Sequence, residues 1–327
     1  MSFSFLHALQ ALDQRIRHLD YAIAARLLAK TERPQVIVLM FHLVFESLDE
    51  ISTQARLPFE SFTVDDFDKL INIYAEKGFE FVAASDLLTV DRPSVCLTFD
   101  DGLANNARVL PVLEKYSVPA TFFISTTHVC ENRAFWWDVV VRERRKQGAS
   151  RISIMQECDH LKKRTHKGIN EYLTDAFGKD SLLPTSDIER PLSPSELKDF
   201  AQHPLVEIGN HTAHHAILTN YSYEDALQEI QQAQDTLQEI TGVTPKSISY
   251  PDGAYSDETI QAATEAGLTI GLTTQSIEVD KEWPLEIGRY QFNAQYNIEH
   301  QIITLNQTPY NRIRTALIER LKKHKTI

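Results

Sequence analysis

Cysteine is scarce in this chain. Cys96, Cys130 and Cys158 are the only three, an odd number without the paired spacing of a thiolate zinc site, which argues against both a disulfide framework and a structural zinc knuckle. They read as unpaired thiols suited to a reducing compartment. Basic charge is also in deficit: the formal net charge is -12, so no chain-wide field invites nucleic acid as a partner. A long unbroken apolar run is missing as well. In the opening MSFSFLHALQALDQRIRHLDYAIAARLLAK, Asp13, Arg15, Arg17 and Asp20 interrupt the apolar positions, which fits neither a signal-peptide core nor a spanning helix. The expectation is a cytoplasmic protein with at most peripheral membrane contact.

Leu6, Leu9, Leu12, Ile16, Leu19, Ile23 and Leu27 recur at three- and four-residue steps, which predicts an amphipathic helix within residues 1–34. Acids as well as bases on its polar face favour packing on the domain, or pairing into a homo-oligomer, over docking on a membrane surface. A second terminal helix is expected over 306–327. Between them, 43% hydrophobic residues in a chain of 327 can build a substantial core.

Strand and helix patterns alternate along residues 35–305. QVIVLMFH (35–42), FEFVAA (79–84), SVCLTF (94–99), ATFFIS (120–125), VEIGN (206–210), SISYP (247–251), TIGLTT (269–274) and RYQFN (289–293) read as strands. VDDFDKLINIYAEKG (64–78), LANNARVLPVLEKY (103–116), SYEDALQEIQQAQDTLQEITG (222–242) and DETIQAATEAG (257–267) read as helices. Ser222 is placed to cap the third of these, and Gly242 to end it. Continuously apolar strands separated by helices predict an α/β fold, a distorted (β/α) barrel of seven or eight strands. The charged stretch from about 135 to 202 breaks the rhythm and reads as a helical insertion in the barrel.

SVCLTFDDGL (94–103) ends an apolar strand on two adjacent carboxylates. In parallel α/β folds ligands gather at that end of a strand. Asp100 and Asp101 are tolerable neighbours if a cation neutralises them, or if one binds metal and the other accepts a proton; a plain turn with a helix cap is the simpler alternative. In IGNHTAHHAIL (208–218), His211 and His215 stand four apart directly after another strand. On a helix both imidazoles would share one face and could grip one ion, completing with a carboxylate the two-nitrogen, one-oxygen set of catalytic zinc sites. His214 would then point elsewhere, as a structural residue.

Thr98-Phe99-Asp100-Asp101-Gly102 and His211-Thr212-Ala213-His214-His215 resemble the first two motifs of the polysaccharide deacetylases, the NodB-homology carbohydrate esterases of family four. The resemblance covers roughly residues 35–305. It implies a hydrolase that removes an N-acetyl or other N-acyl group from an amino sugar or polysaccharide precursor. One divalent metal, zinc or a similar ion such as cobalt or nickel, would be held by Asp101, His211 and His215, with Asp100 as catalytic base. The family's third motif, Arg-x-Pro-Tyr-Gly, is matched by Ser249-Tyr250-Pro251-Asp252-Gly253, which lacks the arginine. Tyr250 and Asp252 would contact substrate, the Asp252 N–H as an oxyanion donor. Arg289 is the candidate to replace the missing cation beside Asp100. The last motif, a strand ending in histidine, is absent near the C-terminus and is matched instead by VIVLMFH (36–42), as in the permuted members of the family that act on poly-N-acetylglucosamine. His42 would protonate the leaving amine, or simply cap its strand. Trp136 and Trp137 offer a sugar-stacking platform or an anchor for the insertion. A lipid-linked or non-sugar amide as substrate, and a catalytically silent sugar-binding module, are the competing readings.

Overall fold

A computed structural model describes residues 36–53, 62–276 and 279–292, together with 298 and 301. The chain divides into two units, Met1–Gln35 with Tyr296–Ile327, and Val36–Gln295. The helices expected over 1–34 and 306–327 lie outside the described residues.

The larger unit is built on eight parallel strands: β1 (Val36–Phe41), β2 (Glu80–Val82), β3 (Ser94–Phe99), β4 (Ala120–Ile124), β5 (Val206–Asn210), β6 (Ser247–Ser249), β7 (Ile270–Leu272) and β8 (Tyr290–Gln291). Their order is β7-β6-β5-β4-β3-β1-β8, with β2 beside the start of β3. Strands β3 and β4 are buried at every position, as continuous apolar runs in a parallel sheet require. β1 pairs with β3 residue for residue, Val36 with Ser94 through Phe41 with Phe99, so His42 and Asp100 leave neighbouring strands at the same level.

The two edges of the sheet meet. The segment entering β8 lies along β7, where the Ile287 N–H donates to the Gly271 carbonyl and the Thr273 N–H to the Ile287 carbonyl, both at 2.8 Å. Its continuation, Tyr290–Gln291, then pairs with Leu39 and Met40 of β1. The sheet thereby curls into the expected distorted (β/α) barrel. Phenylalanines fill much of one side: Phe99 stacks on Phe122 at 4.8 Å, and Phe200 meets Phe122 edge-on at 4.7 Å.

Local chemistry sets the helix limits. Ser222 caps the helix Tyr223–Thr241 by accepting the Asp225 N–H, and Gly242 ends it in the left-handed region at φ 77°. The helix expected from 103 begins as a 3-10 turn over Ala104–Val109 and becomes α-helical only at Leu110, with Pro111 in its first turn.

Between β4 and β5 the helices Trp136–Lys146, Arg151–Leu161 and His166–Phe177 pack around a core of their own that includes Val139, Val140, Ile154, Leu161, Ile169 and Leu173. Arg142, buried beneath them, bonds the Glu189 carboxylate and the Ser181 carbonyl. Pro194–Ala201 is a crossover helix whose Phe200 packs on the barrel strand β4, and Ser193 caps it with a reciprocal bond to Glu196. Among the described residues no helix is long and apolar enough to cross a membrane.

Candidate active site

The ends of β1, β3, β5 and β6, with Gln291 of β8, converge on one cleft of about 650 Å³. Its walls include His42, Asp100, Asp101, His211 and His215 from the barrel, and Trp136, Trp137, Met155 and Lys162 from the insertion.

The chain turns sharply after β3 because Asp101 and Gly102 both adopt φ 79°. At Gly102 a Cβ would meet Ile124 at 3.1 Å, so the turn also needs the absent side chain. Asp100 and Asp101 are thereby split. Asp100 faces Arg289, which donates from Nη1 to Oδ1 at 2.8 Å and from Nη2 to Oδ2 at 2.7 Å, while Ser249 Oγ donates to Oδ2 at 3.0 Å. Burial alone would push the Asp100 carboxyl up; the Arg289 charge, with help from His211 and His42, outweighs it and holds the group well below the usual carboxylate range.

Arg289 is completely buried and fixed on all sides. Its Nε donates to the Thr273 carbonyl at 3.0 Å, and its other nitrogens reach Thr98 Oγ1 at 3.2 Å and Ser249 Oγ at 2.8 Å. Ser249 stands where the family motif has arginine, and the guanidinium of Arg289 occupies the space beside it. The guanidinium beside Asp100 comes from the residue that immediately precedes β8. It lies behind Asp100 rather than on the cleft wall, which makes it a positioning group.

Asp101 points the other way. Its Oδ1 lies 3.5 Å from Nε2 of His211 and 3.5 Å from Nε2 of His215, and has no hydrogen-bond donor despite being buried. An orphaned carboxylate oxygen facing two imidazole nitrogens is the donor set of a divalent ion, and among the described residues Asp101, His211 and His215 form one of two groups with ligating atoms close enough to share one. His211 meets the Ser249 carbonyl through Nδ1 at 2.7 Å. A carbonyl only accepts, so that nitrogen carries the hydrogen and Nε2 is the atom turned toward Asp101. Burial, and then the neighbouring His211, push His215 down to about 3, so it presents a neutral ring.

The His-x-x-x-His segment is not helical. Thr212 and His215 are left-handed at φ 60° and 50°, and residues 212–214 form a turn. Side chains set this path: Asn210 Oδ1 accepts the Thr212 N–H and Thr212 Oγ1 accepts the Ala216 N–H, both at 2.8 Å. The two imidazoles still meet, with ring centroids 4.8 Å apart.

His42, at the end of β1, places Nε2 3.9 Å from Asp100 Oδ2. Asp252 lines the cleft in a left-handed conformation at φ 58° and its carboxylate is bonded by Lys162 of the insertion. Tyr250 does not line it. The residue is fully buried, packed with Ile248, Ala262 and Leu268 behind the loop, so the expected substrate contact is corrected: alternate residues leaving a strand face opposite ways, and Ser249 is the one aimed at Asp100. Trp136 and Trp137 both border the cleft, but Trp136 is part of the core of the insertion, and Trp137 lies between Phe135 at 4.8 Å and His215 at 4.7 Å. Sequence reasoning assigns no site role to Ser249, Thr98 or Lys162, whose contacts cross the barrel or join it to the insertion.

The polysaccharide deacetylase family model matches residues 88–271. YxkH of Bacillus subtilis (strain 168), named for that family, is 24% identical over 255 residues, covering 75% of this chain and 67% of its own. Among solved structures, Streptococcus pyogenes deacetylase PplD in complex with acetate has a TM-score of 0.58 at 20% identity, over 84% of this chain and 99% of its own. A de-N-acetylase from Aggregatibacter actinomycetemcomitans has a TM-score of 0.56 at 17% identity, over 83% of this chain and 99% of its own. The structural likenesses speak to the barrel alone. The family match spans more than half of the chain, including both aspartates, both histidines and the altered third motif, and the chain belongs to the polysaccharide deacetylase family.

Proposed function

We propose that the protein hydrolyses the N-acyl amide of an amino sugar, releasing a carboxylate such as acetate and a free amine. One observation carries the reading: Asp101, His211 and His215 aim three ligand atoms at one point, and a second carboxylate, Asp100, stands beside them ionised and clamped. Asp101, His211 and His215 would hold a divalent ion, which supplies acid strength to water and polarises the acyl carbonyl.

The other roles belong to the chain. Asp100 accepts the proton of the attacking water while the new C–O bond forms at the acyl carbon. Arg289 keeps that carboxylate charged and fixes its two oxygens, giving up basicity for orientation. The Asp252 N–H, at a loop bent by left-handed backbone, is the donor for the developing oxyanion. His42, on the far side of Asp100 Oδ2, gives a proton to the nitrogen as the C–N bond breaks. Trp137 and Trp136, which border the cleft, offer apolar surface to the sugar.

The charge of the cleft bears on the substrate. Asp138, Asp159 and Asp252 border it, and among the described residues lining it Lys162 is the one ammonium or guanidinium, already bonded to Asp252. A neutral N-acyl sugar suits these walls better than a nucleotide or lipid diphosphate placed in the cleft. A silent sugar-binding module has no use for a buried, arginine-clamped carboxylate beside a ligand set. The test is metal analysis of the purified protein, followed by acetate and formate release from N-acyl glucosamine oligomers, with Asp100→Asn as control. Bound metal and release lost in the variant support the proposal; metal-free protein that no divalent ion activates, or release unaffected by the substitution, overturns it.

A further inference from the structure

A second polar cluster lies behind the histidine loop. Glu229, on the helix Tyr223–Thr241, is buried, and it receives the loop between the two histidine ligands at three points. Its Oε2 accepts the His214 N–H at 3.1 Å, its Oε1 accepts from His214 Nδ1 at 2.9 Å, and its backbone carbonyl accepts the Ala213 N–H at 3.1 Å. His166, from the insertion helix His166–Phe177, places Nδ1 3.2 Å from the same Oε1 and stacks its ring on His214 at 3.8 Å, only 4° from parallel. Tyr221 fixes His166 in turn, its hydroxyl accepting the His166 N–H at 2.6 Å.

His166, His214 and Glu229 are close enough together to suggest a second cation site. Their orientation argues against it. A metal ion lies near the plane of each imidazole that binds it, at about 2.0–2.1 Å, and two rings in near-parallel planes 3.8 Å apart cannot both hold one ion that closely, whereas longer polar contacts of 2.9 and 3.2 Å still reach one oxygen. The geometry suits a carboxylate that accepts from His214, with His166 packed against both and its Nδ1 also meeting the Tyr221 hydroxyl at 3.1 Å.

We infer that Glu229 is a positioning residue for the metal ligands, and that through His166 it ties their geometry to the insertion that walls the cleft. The loop needs such a hold. Thr212 and His215 sit in left-handed backbone at φ 60° and 50°, a conformation that a non-glycine residue keeps only where surrounding bonds impose it. Beside the bonds of Asn210 and Thr212, Glu229 holds the two residues between the strained positions, accepting the Ala213 N–H at its backbone carbonyl and His214 at its carboxylate. His215 follows His214 directly, so the carboxylate sets where its Nε2 lies relative to Asp101. The inference rests on the metal-site reading.

The test uses cobalt(II) alone, added to the full chain, and reads affinity and the d–d absorption spectrum of the bound ion. Glu229→Ala is expected to weaken cobalt binding by about 10–100-fold and to change the spectrum, because the coordination geometry shifts. Glu229→Gln, which still offers an oxygen to the His214 N–H, is expected to recover most of the affinity. If Glu229→Ala does not fold, Glu229→Asp takes its place: the charge is kept, the reach is one methylene shorter, and the same loss is expected. A folded Glu229→Ala or Glu229→Asp protein with wild-type cobalt affinity and spectrum overturns the inference while leaving the metal site intact. Wild-type protein that takes up no cobalt overturns the metal site, and this inference with it.

Discussion

Arg289 and Asp100, 189 residues apart in sequence, form a two-bonded ion pair at 2.7 and 2.8 Å with no solvent around the guanidinium. Burial pushes the Asp100 carboxyl up and Arg289 pulls it down, so removal of Arg289 leaves burial in command. In Arg289→Ala, Asp100 takes up a proton at higher pH, the acid limb of kcat/KM moves upward, and turnover falls by about 100-fold or more as the base is lost. Arg289→Lys keeps the charge without the fork and falls less. A pH–rate profile of Arg289→Ala with an unmoved acid limb would refute this account.

The arginine should be transferable. Ser249 Oγ lies 2.8 Å from Arg289 Nη2 and 3.0 Å from Asp100 Oδ2, so position 249 borders the same space. Ser249→Arg alone crowds a filled site and costs about 1–3 kcal/mol. Combined with Arg289→Ser, it returns one guanidinium to one carboxylate, and turnover rises above that of Arg289→Ser alone. A double-mutant cycle measures the coupling, and additive losses count against a shared site.

Gly253 holds the Asp252 loop at φ 67°, and a Cβ there would lie 2.1 Å from Thr274 Oγ1 and 2.6 Å from the Thr274 nitrogen. Gly253→Ala is expected to lose about 1–3 kcal/mol of stability. Because the loop carries the Asp252 N–H, turnover drops with it. Thermal unfolding and steady-state kinetics together check both effects.

Arg142 pairs with buried Glu189 beneath the insertion. Arg142→Met leaves that carboxylate without its charge partner, at a loss of about 3–5 kcal/mol. The damage is local to the insertion, so limited proteolysis should cut between 133 and 192 before the barrel is touched. Simultaneous cleavage of barrel and insertion would show that the two unfold as one unit.

The barrel and the carboxylate and histidine pairs are legible in the sequence because each depends on near neighbours. An apolar run ending on Asp100-Asp101 marks a strand end without further information, and His211 and His215 follow VEIGN by the same logic. Arg289 was legible only as an answer to a gap, the serine at 249. What failed depends on direction and distance. The histidine loop is not helical because Asn210 and Glu229 offer its backbone other partners. Tyr250 turns inward because its neighbour Ser249 already faces the site, and a strand alternates its faces. Glu229 and His166, in turn, reach the loop from elements 15 and 48 residues away from His214 in either direction.

Among the described residues, six non-glycines have left-handed backbone, and four of them, Asp101, Thr212, His215 and Asp252, belong to the loops at the mouth of the barrel. Glycine or asparagine at these four places would relax the chain. An engineer selecting for heat resistance would thus be drawn to the residues that bind, orient and donate, and would gain stability there at the expense of turnover. Safer gains lie at Ser117 and Asn132, where the same backbone conformation closes ordinary helices far along the chain from any of the four.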